Sequence, residues 1–209
     1  MARAFAEIAF TPSVREMQEQ QGSAPAYGRL IEHEAERGDR LGPSETGFIS
    51  QRDGFYQATV SETCWPYVQF RGGPRGFLKV IDEKTIAYAD FRGNRQYVST
   101  GNLSKNDRVS LILMDYPNQR RLKLWGRTRL VGADEDPGLI ASLMPEGYRA
   151  RPERAVVITI EAFDWNCPQH IPQRLSAEEI VPIVAPLREE IARLETENLA
   201  LKARLPIDD

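Results

Sequence analysis

The side chains in this sequence that could do chemistry are basic, hydroxyl and amide groups set between short apolar runs. From Arg121 to Arg129 the alternation puts Arg121, Lys123, Trp125, Arg127 and Arg129 on one face of a strand, and Leu122, Leu124, Thr128 and Leu130 on the other. Tyr67, Gln69 and Arg71 share a face in the same way, opposite Val68 and Phe70. In GFLKVI (76–81), Lys79 lies on one side with Phe77 and Ile81. A lysine on a mostly apolar strand needs its head to reach water or an anion. The connection from Arg92-Gly93-Asn94-Arg95 through Ser99, Thr100 and Asn102 supplies guanidinium groups, hydroxyls and turn amides, a set suited to phosphate oxygens.

Other chemistries find little support. There is no nucleophile elbow, P-loop, zinc-protease helix or Rossmann glycine fingerprint. The two histidines, His33 and His170, sit in unremarkable sequence, and no Cys/His cluster has zinc-ligand spacing. An enzyme built from these residues would take its hard chemistry from a cofactor. A basic face with a tryptophan also suits single-stranded nucleic acid on a barrel. The net charge of −3 and the few accompanying aromatics argue against it.

At 209 residues the chain is long enough for one sizeable core with appendages. No apolar run is long enough to span a membrane, and the N-terminus lacks the pattern of a signal peptide. Two cysteines, Cys64 and Cys167, make no disulfide framework. A cytoplasmic protein without nucleic-acid or membrane partners is the expectation.

The elements that must position these residues are mostly strands. Segments 54–60, 67–71, 76–81, 85–89, 109–114, 121–131 and 155–163 read as strands, with a hairpin about Asp82-Glu83-Lys84 and a bend at Gly126. Residues 90–107 form a long polar connection with room for a short helix, and Asp136-Pro137 opens another. Seven strands with little intervening helix predict a closed or nearly closed antiparallel barrel. Upstream, Phe5–Phe10 fits a short strand or an arm. Helices are predicted from Thr11-Pro12-Ser13 to Gln21 and from Ala26 to Arg37, the latter ended by Gly38 and Gly42-Pro43. These helices either cover the barrel or embrace a partner subunit. The expected organisation is a helical segment over 1–45, a barrel over 46–176 and a C-terminal helix over 177–209.

That tail has its own periodicity. Ile180, Val184, Leu187, Ile191, Leu194, Leu201 and Leu205 follow heptad spacing, with Asn198 in the remaining core position. Leu187, Leu194 and Leu201 fall at d; Ile191, Asn198 and Leu205 fall at a. A lone Asn at a favours a parallel two-stranded coiled coil, whereas a helix docked on its own barrel would show the same stripe. Glu197 and Lys202 would attract across a parallel pair; Glu190 and Glu195 would repel.

Phe48 to Val131 resembles the pyridoxamine 5'-phosphate oxidase-like family of FMN-binding split barrels. The features that carry the resemblance are GFYQATV, the turn Cys64-Trp65-Pro66 into YVQFRGGPRGFLKVID, YADFRGNRQYVSTGNLSKNDRVSLIL, RRLKLWGRTRLV, and DWNCPQHIPQR at 164–174. The resemblance implies a mainly β fold, an antiparallel split barrel with peripheral helices and a C-terminal helix. It also implies a homodimer with FMN at the subunit interface and a small-molecule substrate.

Carried onto this chain, the resemblance lays Phe77, Leu78, Lys79 and Val80 along the flavin. It assigns phosphate contacts to the segment holding Asp90, Asn94, Arg95, Ser99 and Asn102, with Arg95 and Ser99 foremost. Gln69 and Arg71 join the candidate contacts from the strand face read above, and the resemblance adds Arg121, a position that is commonly Gln in the oxidases proper. Asn166 and Gln169 would meet the edge of the ring. The implied function is hydride transfer through flavin N5 to or from a small organic molecule; a non-catalytic flavin-binding module is the alternative. The family's Arg-Ser-Lys-like phosphate motif is replaced here by FRGNRQYVSTGN. Its C-terminal Arg-x-His becomes Arg174-Leu175-Ser176, so the resemblance does not extend to pyridoxamine phosphate as substrate.

Overall fold

The computed structural model of the chain describes residues 2–32, 37–165 and 169–204. The strands are β1 (Gly54–Val60), β2 (Pro66–Gly72), β3 (Lys79–Asp82), β4 (Thr85–Phe91), β5 (Arg108–Asp115), β6 (Arg120–Gly132) and β7 (Pro152–Trp165). They form one antiparallel sheet in the order β2-β1-β5-β6-β7-β4-β3.

Contacts across the sheet show that it curls. β1 and β4 are separated by three strands, which in a flat sheet would put them roughly 19 Å apart. Yet the ring of Phe55 on β1 meets Tyr88 on β4 edge to face at 5.4 Å, and Tyr88 Oη donates to Gln57 Oε1 at 2.7 Å. The sheet therefore wraps around a core that includes the fully buried Leu111, Leu113, Leu122, Leu124, Ile158 and Ile160. Among the described residues no ladder joins the edge strands β2 and β3, so the barrel is split there.

β6 and β7 pair along most of their length, with a register shift between Trp125 and Gly126, at the predicted bend. A Cβ at residue 126 would lie 2.5 Å from the Thr159 carbonyl oxygen, so only glycine allows the strands to approach this closely.

Among the described residues four helices precede the barrel. Residues 5–10, expected as a strand or an arm, belong instead to α1 (Arg3–Ala9). The Arg3–Glu7 pair at 2.9 Å supports the helix from outside, while Ala4, Phe5 and Ala6 are buried, and Phe5 stacks on Trp125 at 4.4 Å. α2 (Pro12–Gln20) follows Thr11, as predicted; α3 (Ala24–Glu32) begins two residues before its expected start. Gly42-Pro43, read as a terminator, instead begins α4 (Pro43–Ser50), because proline also suits the first helical turn. The Glu45 carboxylate accepts from Gly42 N at 3.0 Å and from Trp165 Nε1 at 2.7 Å, fixing α4 to the end of β7. After β4 comes α5 (Val98–Lys105), and after β6 comes α6 (Pro137–Leu143), capped by Asp136. α7 (Ala177–Lys202) closes the chain, with Ser176 and Glu179 forming a reciprocal cap.

Candidate functional site

β2 is an edge strand whose alternation is turned outside in. Val68 and Phe70 point outward and are 60% and 58% exposed, while Tyr67, Gln69 and Arg71 point into a cleft of about 200 Å³. The opposite wall is the loop from Gly93 to Tyr97 and the first turn of α5; Asp90, Glu153 and Arg154 complete it from β4 and β7.

The floor is an ion network. Asp90, 5% exposed, accepts from Arg71 Nη1 and from Arg154 Nη1, each at 2.7 Å. Antiparallel pairing sets Asp90 opposite Arg154, whereas Arg71 reaches across the split from β2. Arg154 also contacts Glu153 at 3.3 Å and lies over the ring of Tyr97 at 5.3 Å. Tyr97 Oη donates to Glu153 and accepts from Arg95 Nε at 3.3 Å; this hydrogen bond raises the Arg95 pKa above its already high ordinary value. Three guanidinium groups thus face two carboxylates, leaving a positive excess.

Several donors in the cleft are unspent. Arg71 Nε is buried and has no hydrogen-bond partner among the described residues. The first backbone N–H groups of α5, from Val98 to Thr100, have no partner within the helix by its geometry and lie at the positive end of its dipole. Ser99 Oγ, 3.0 Å from Gln69 Oε1, ties α5 to β2. The local turn is made by Asn94, whose Oδ1 accepts from Gln96 N, and by Arg95 and Tyr97, both with positive φ.

Of the residues singled out from sequence, the cleft gathers Gln69, Arg71, Asp90, Asn94, Arg95 and Ser99. Asn102 lies deeper in α5, where it donates to Thr59 Oγ1 at 3.0 Å. Phe77 and Leu78 are core residues; Phe77 stacks on Phe55 at 5.6 Å and borders a second cavity beside Arg71 and Asp90. β3 starts only at Lys79 and shifts register between Val80 and Asp82, which removes the shared side expected for Phe77, Lys79 and Ile81. Lys79 and Val80 pair with Ala87 and Ile86 on β4 and are half-buried. Arg121 is on β6 opposite Met114, away from the cleft, with a buried Nε that has no partner among the described residues. Gln169 is exposed in a turn, and Asn166 and Cys167 lie outside the described residues.

Thr100, named from sequence in the phosphate-suited connection, lines the cleft too; Arg154, Tyr97, Tyr67 and Glu153 also line it, although sequence reasoning did not single them out as ligand contacts. The expected basic face of β6 is largely committed elsewhere. Trp125 is covered by Phe5 and donates to Ser110 Oγ; Lys123 approaches Asp164 at 3.5 Å; Arg127 contacts Glu161 at 2.6 Å and Asp107 at 3.0 Å.

A family model described as Pyridoxamine 5'-phosphate oxidase matches residues 46–167, more than half of the chain. The chain belongs to the pyridoxamine 5'-phosphate oxidase family. The match spans β1 to β7 and leaves α1 to α3 and α7 outside it. Among similar solved structures is HupZ from Group A Streptococcus, 13% identical with a TM-score of 0.50, covering 65% of this chain and 99% of that one. An FMN-binding protein from Syntrophomonas wolfei subsp. wolfei is 12% identical with a TM-score of 0.48, covering 71% and 97%. A protein from Clostridium acetobutylicum related to general stress protein 26, of the pyridoxinephosphate oxidase family, is 16% identical with a TM-score of 0.44, covering 66% and 94%. No curated protein matches the chain. Together with the family match, the curled and split sheet establishes the split-barrel fold of the oxidase-like proteins.

Proposed function

We propose that the cleft holds the phosphate of FMN at a site completed by a second copy of the chain, and that the protein is an FMN-dependent oxidoreductase. The observation that carries this reading is the unspent donor set: Arg71 Nε, the guanidinium excess and the α5 N-terminus converge on one small cleft. A dianionic phosphate would neutralise that excess, with the Ser99 backbone N–H and the Thr100 hydroxyl as further donors.

The size of the cleft supports a shared site. Pockets that enclose a whole ligand of this class run from about 300 to 1,000 Å³, and this one is about 200 Å³. Outside it, Tyr56, Val68 and Phe70 form an exposed apolar face on β1 and β2, and Trp65 is exposed in the turn between them. Such a face on an edge strand suits a homodimer interface.

Bound FMN would supply hydride acceptance or donation at N5. The chain's residues would hold the phosphate on Arg71, Arg154 and Ser99. Tyr67 and Tyr97 would shield the cleft from water, and the backbone would orient a small organic substrate. Ser176, which stands where the family's Arg-x-His places its His, points to a different substrate.

The test compares FMN with riboflavin, which lacks the phosphate. Flavin fluorescence quenching should show one FMN per subunit and riboflavin at least tenfold weaker, with Arg95→Ala and Thr100→Ala narrowing the gap. A colourless protein that ignores added FMN overturns the assignment. Flavin binding without turnover by reduced nicotinamides or small organic donors leaves a binding module in place of an enzyme.

A further inference from the structure

α7 is a 26-residue helix with no buried residue. Among the described residues its ion pair to the barrel is at its first turn, where Glu178 approaches Arg75 at 3.6 Å. The docked-helix alternative required the apolar stripe to lie against the chain's own barrel. Instead Leu187, Ile191, Leu194 and Leu201 are all about half exposed or more, from 48% to 60%. A row of four large aliphatic residues at heptad spacing in water is an unsatisfied surface.

We infer that α7 pairs with α7 of a second copy of this chain in a parallel two-stranded coiled coil, with Asn198 facing its twin. This inference rests on the homodimer reading above and extends it to the tail. Four observations select the occupant. Asn198 sits at an a position, where its amide is best satisfied by the same residue in a parallel partner; an antiparallel pair would set it against a leucine. Pro182 and Pro186 interrupt the helical ladder only before Leu187 and lie off the seam, leaving a regular stretch from Leu187 to Lys202 of about 24 Å. Arg193, off the seam, binds Glu190 at 2.7 Å and Glu197 at 3.1 Å. It thereby offsets the repulsion expected between Glu190 and Glu195 of the partner helix, while Glu197 still faces Lys202 of the partner helix.

The fourth observation is continuity with the proposed interface. Tyr56 packs on Phe70 at 5.4 Å in the exposed β1–β2 face, and it lies close enough to Tyr116 to raise that phenol's pKa above its ordinary value. Arg174, just before α7, lies over Tyr116 at 5.1 Å. The helix therefore springs from the edge of the surface that would join two barrels. A seam this short is marginal alone, but tethering to paired barrels raises its effective concentration to the millimolar range.

The experiment uses the full chain with Cys64→Ser and Cys167→Ser as background. Leu187→Cys and Leu201→Cys, at the two ends of the seam, are each oxidised with copper phenanthroline, beside Thr196→Cys on the far face of the helix. In a parallel pair both seam variants form covalent dimers at least tenfold faster than Thr196→Cys. Equal rates for all three overturn the inference. So does crosslinking that appears only when Leu187→Cys is mixed with Asn198→Cys, a d position against an a position, which reports an antiparallel pair. Light scattering on the reduced samples separates the two readings. A dimeric mass without seam crosslinking removes the coiled coil and leaves the barrel dimer, a monomeric mass removes both, and a trimeric mass removes the two-stranded form.

Discussion

β2 and β6 alternate apolar residues with basic or amide ones, and the barrel uses them in opposite senses. β6 buries Leu122 and Leu124, while Lys123 is drawn to the buried Asp164 and Arg127 points outward to the surface carboxylates Glu161 and Asp107. β2 sends Val68 and Phe70 outward and turns Gln69 and Arg71 inward to Ser99 and Asp90. The lesson is that a basic strand marks a site only when its charges point where nothing else satisfies them. The inverted alternation of β2 also accounts for two features at once: inward polarity for a ligand cleft and outward apolarity for a partner.

The sharpest way to break the comparison is at Arg71. Arg71→Leu leaves Asp90 with one guanidinium where it had two and removes the unspent Nε. Losing one partner of a buried pair costs about 3–5 kcal/mol, which urea denaturation should show as a large fall in midpoint. The other half of the inversion is tested by Phe70→Glu. A central aromatic in an interface is worth about 2 kcal/mol or more, so the dimer dissociation constant should rise about 30-fold or more, with the barrel still folded. A dimer indifferent to Phe70→Glu in sedimentation equilibrium would place the interface elsewhere.

The sequence conveyed the strand pattern well because alternation bounded by turns is a local property. β1, β2, β4, β5, β6 and β7 lie within a few residues of their expected limits, and the Gly126 bend was readable for the same reason. Half of the cleft was legible too, since Asn94, Arg95 and Ser99 lie together in one polar connection. Arg154 was not, because its role depends on the register that sets it opposite Asp90, and register between strands more than sixty residues apart leaves no local trace. Phe77 was misplaced because face assignment by parity holds only once a strand has begun, and β3 begins at Lys79. α1 and α4 were missed because a short apolar window and a Gly-Pro pair each fit two structures, which tertiary packing decides.

A smaller effect is expected where β1 meets β4. Burial holds the Tyr88 phenol well above its ordinary pKa, so it remains a donor to Gln57 at all working pH values. Gln57 Nε2 already lacks a partner among the described residues. Tyr88→Phe would strand Oε1 as well, costing about 1–3 kcal/mol. A thermal midpoint unchanged by this substitution would mean that the cross-barrel bond does not help to hold the split closed.

The smallest effect belongs to the outward basic residue, and it is the control that gives the others meaning. Arg127 contacts both Glu161 and Asp107, and these carboxylates raise its pKa above its already high value, yet its side chain is 45% exposed. Water and salt screen such pairs, and exposed ion pairs contribute little to stability. Arg127→Ala should therefore leave the urea midpoint and FMN affinity unchanged, while Arg154→Ala, which removes a comparable charge from the cleft, should weaken FMN at least tenfold. Equal losses from the two substitutions would mean that overall charge, rather than direction, governs binding. The inward turn of β2 would then lose its functional significance.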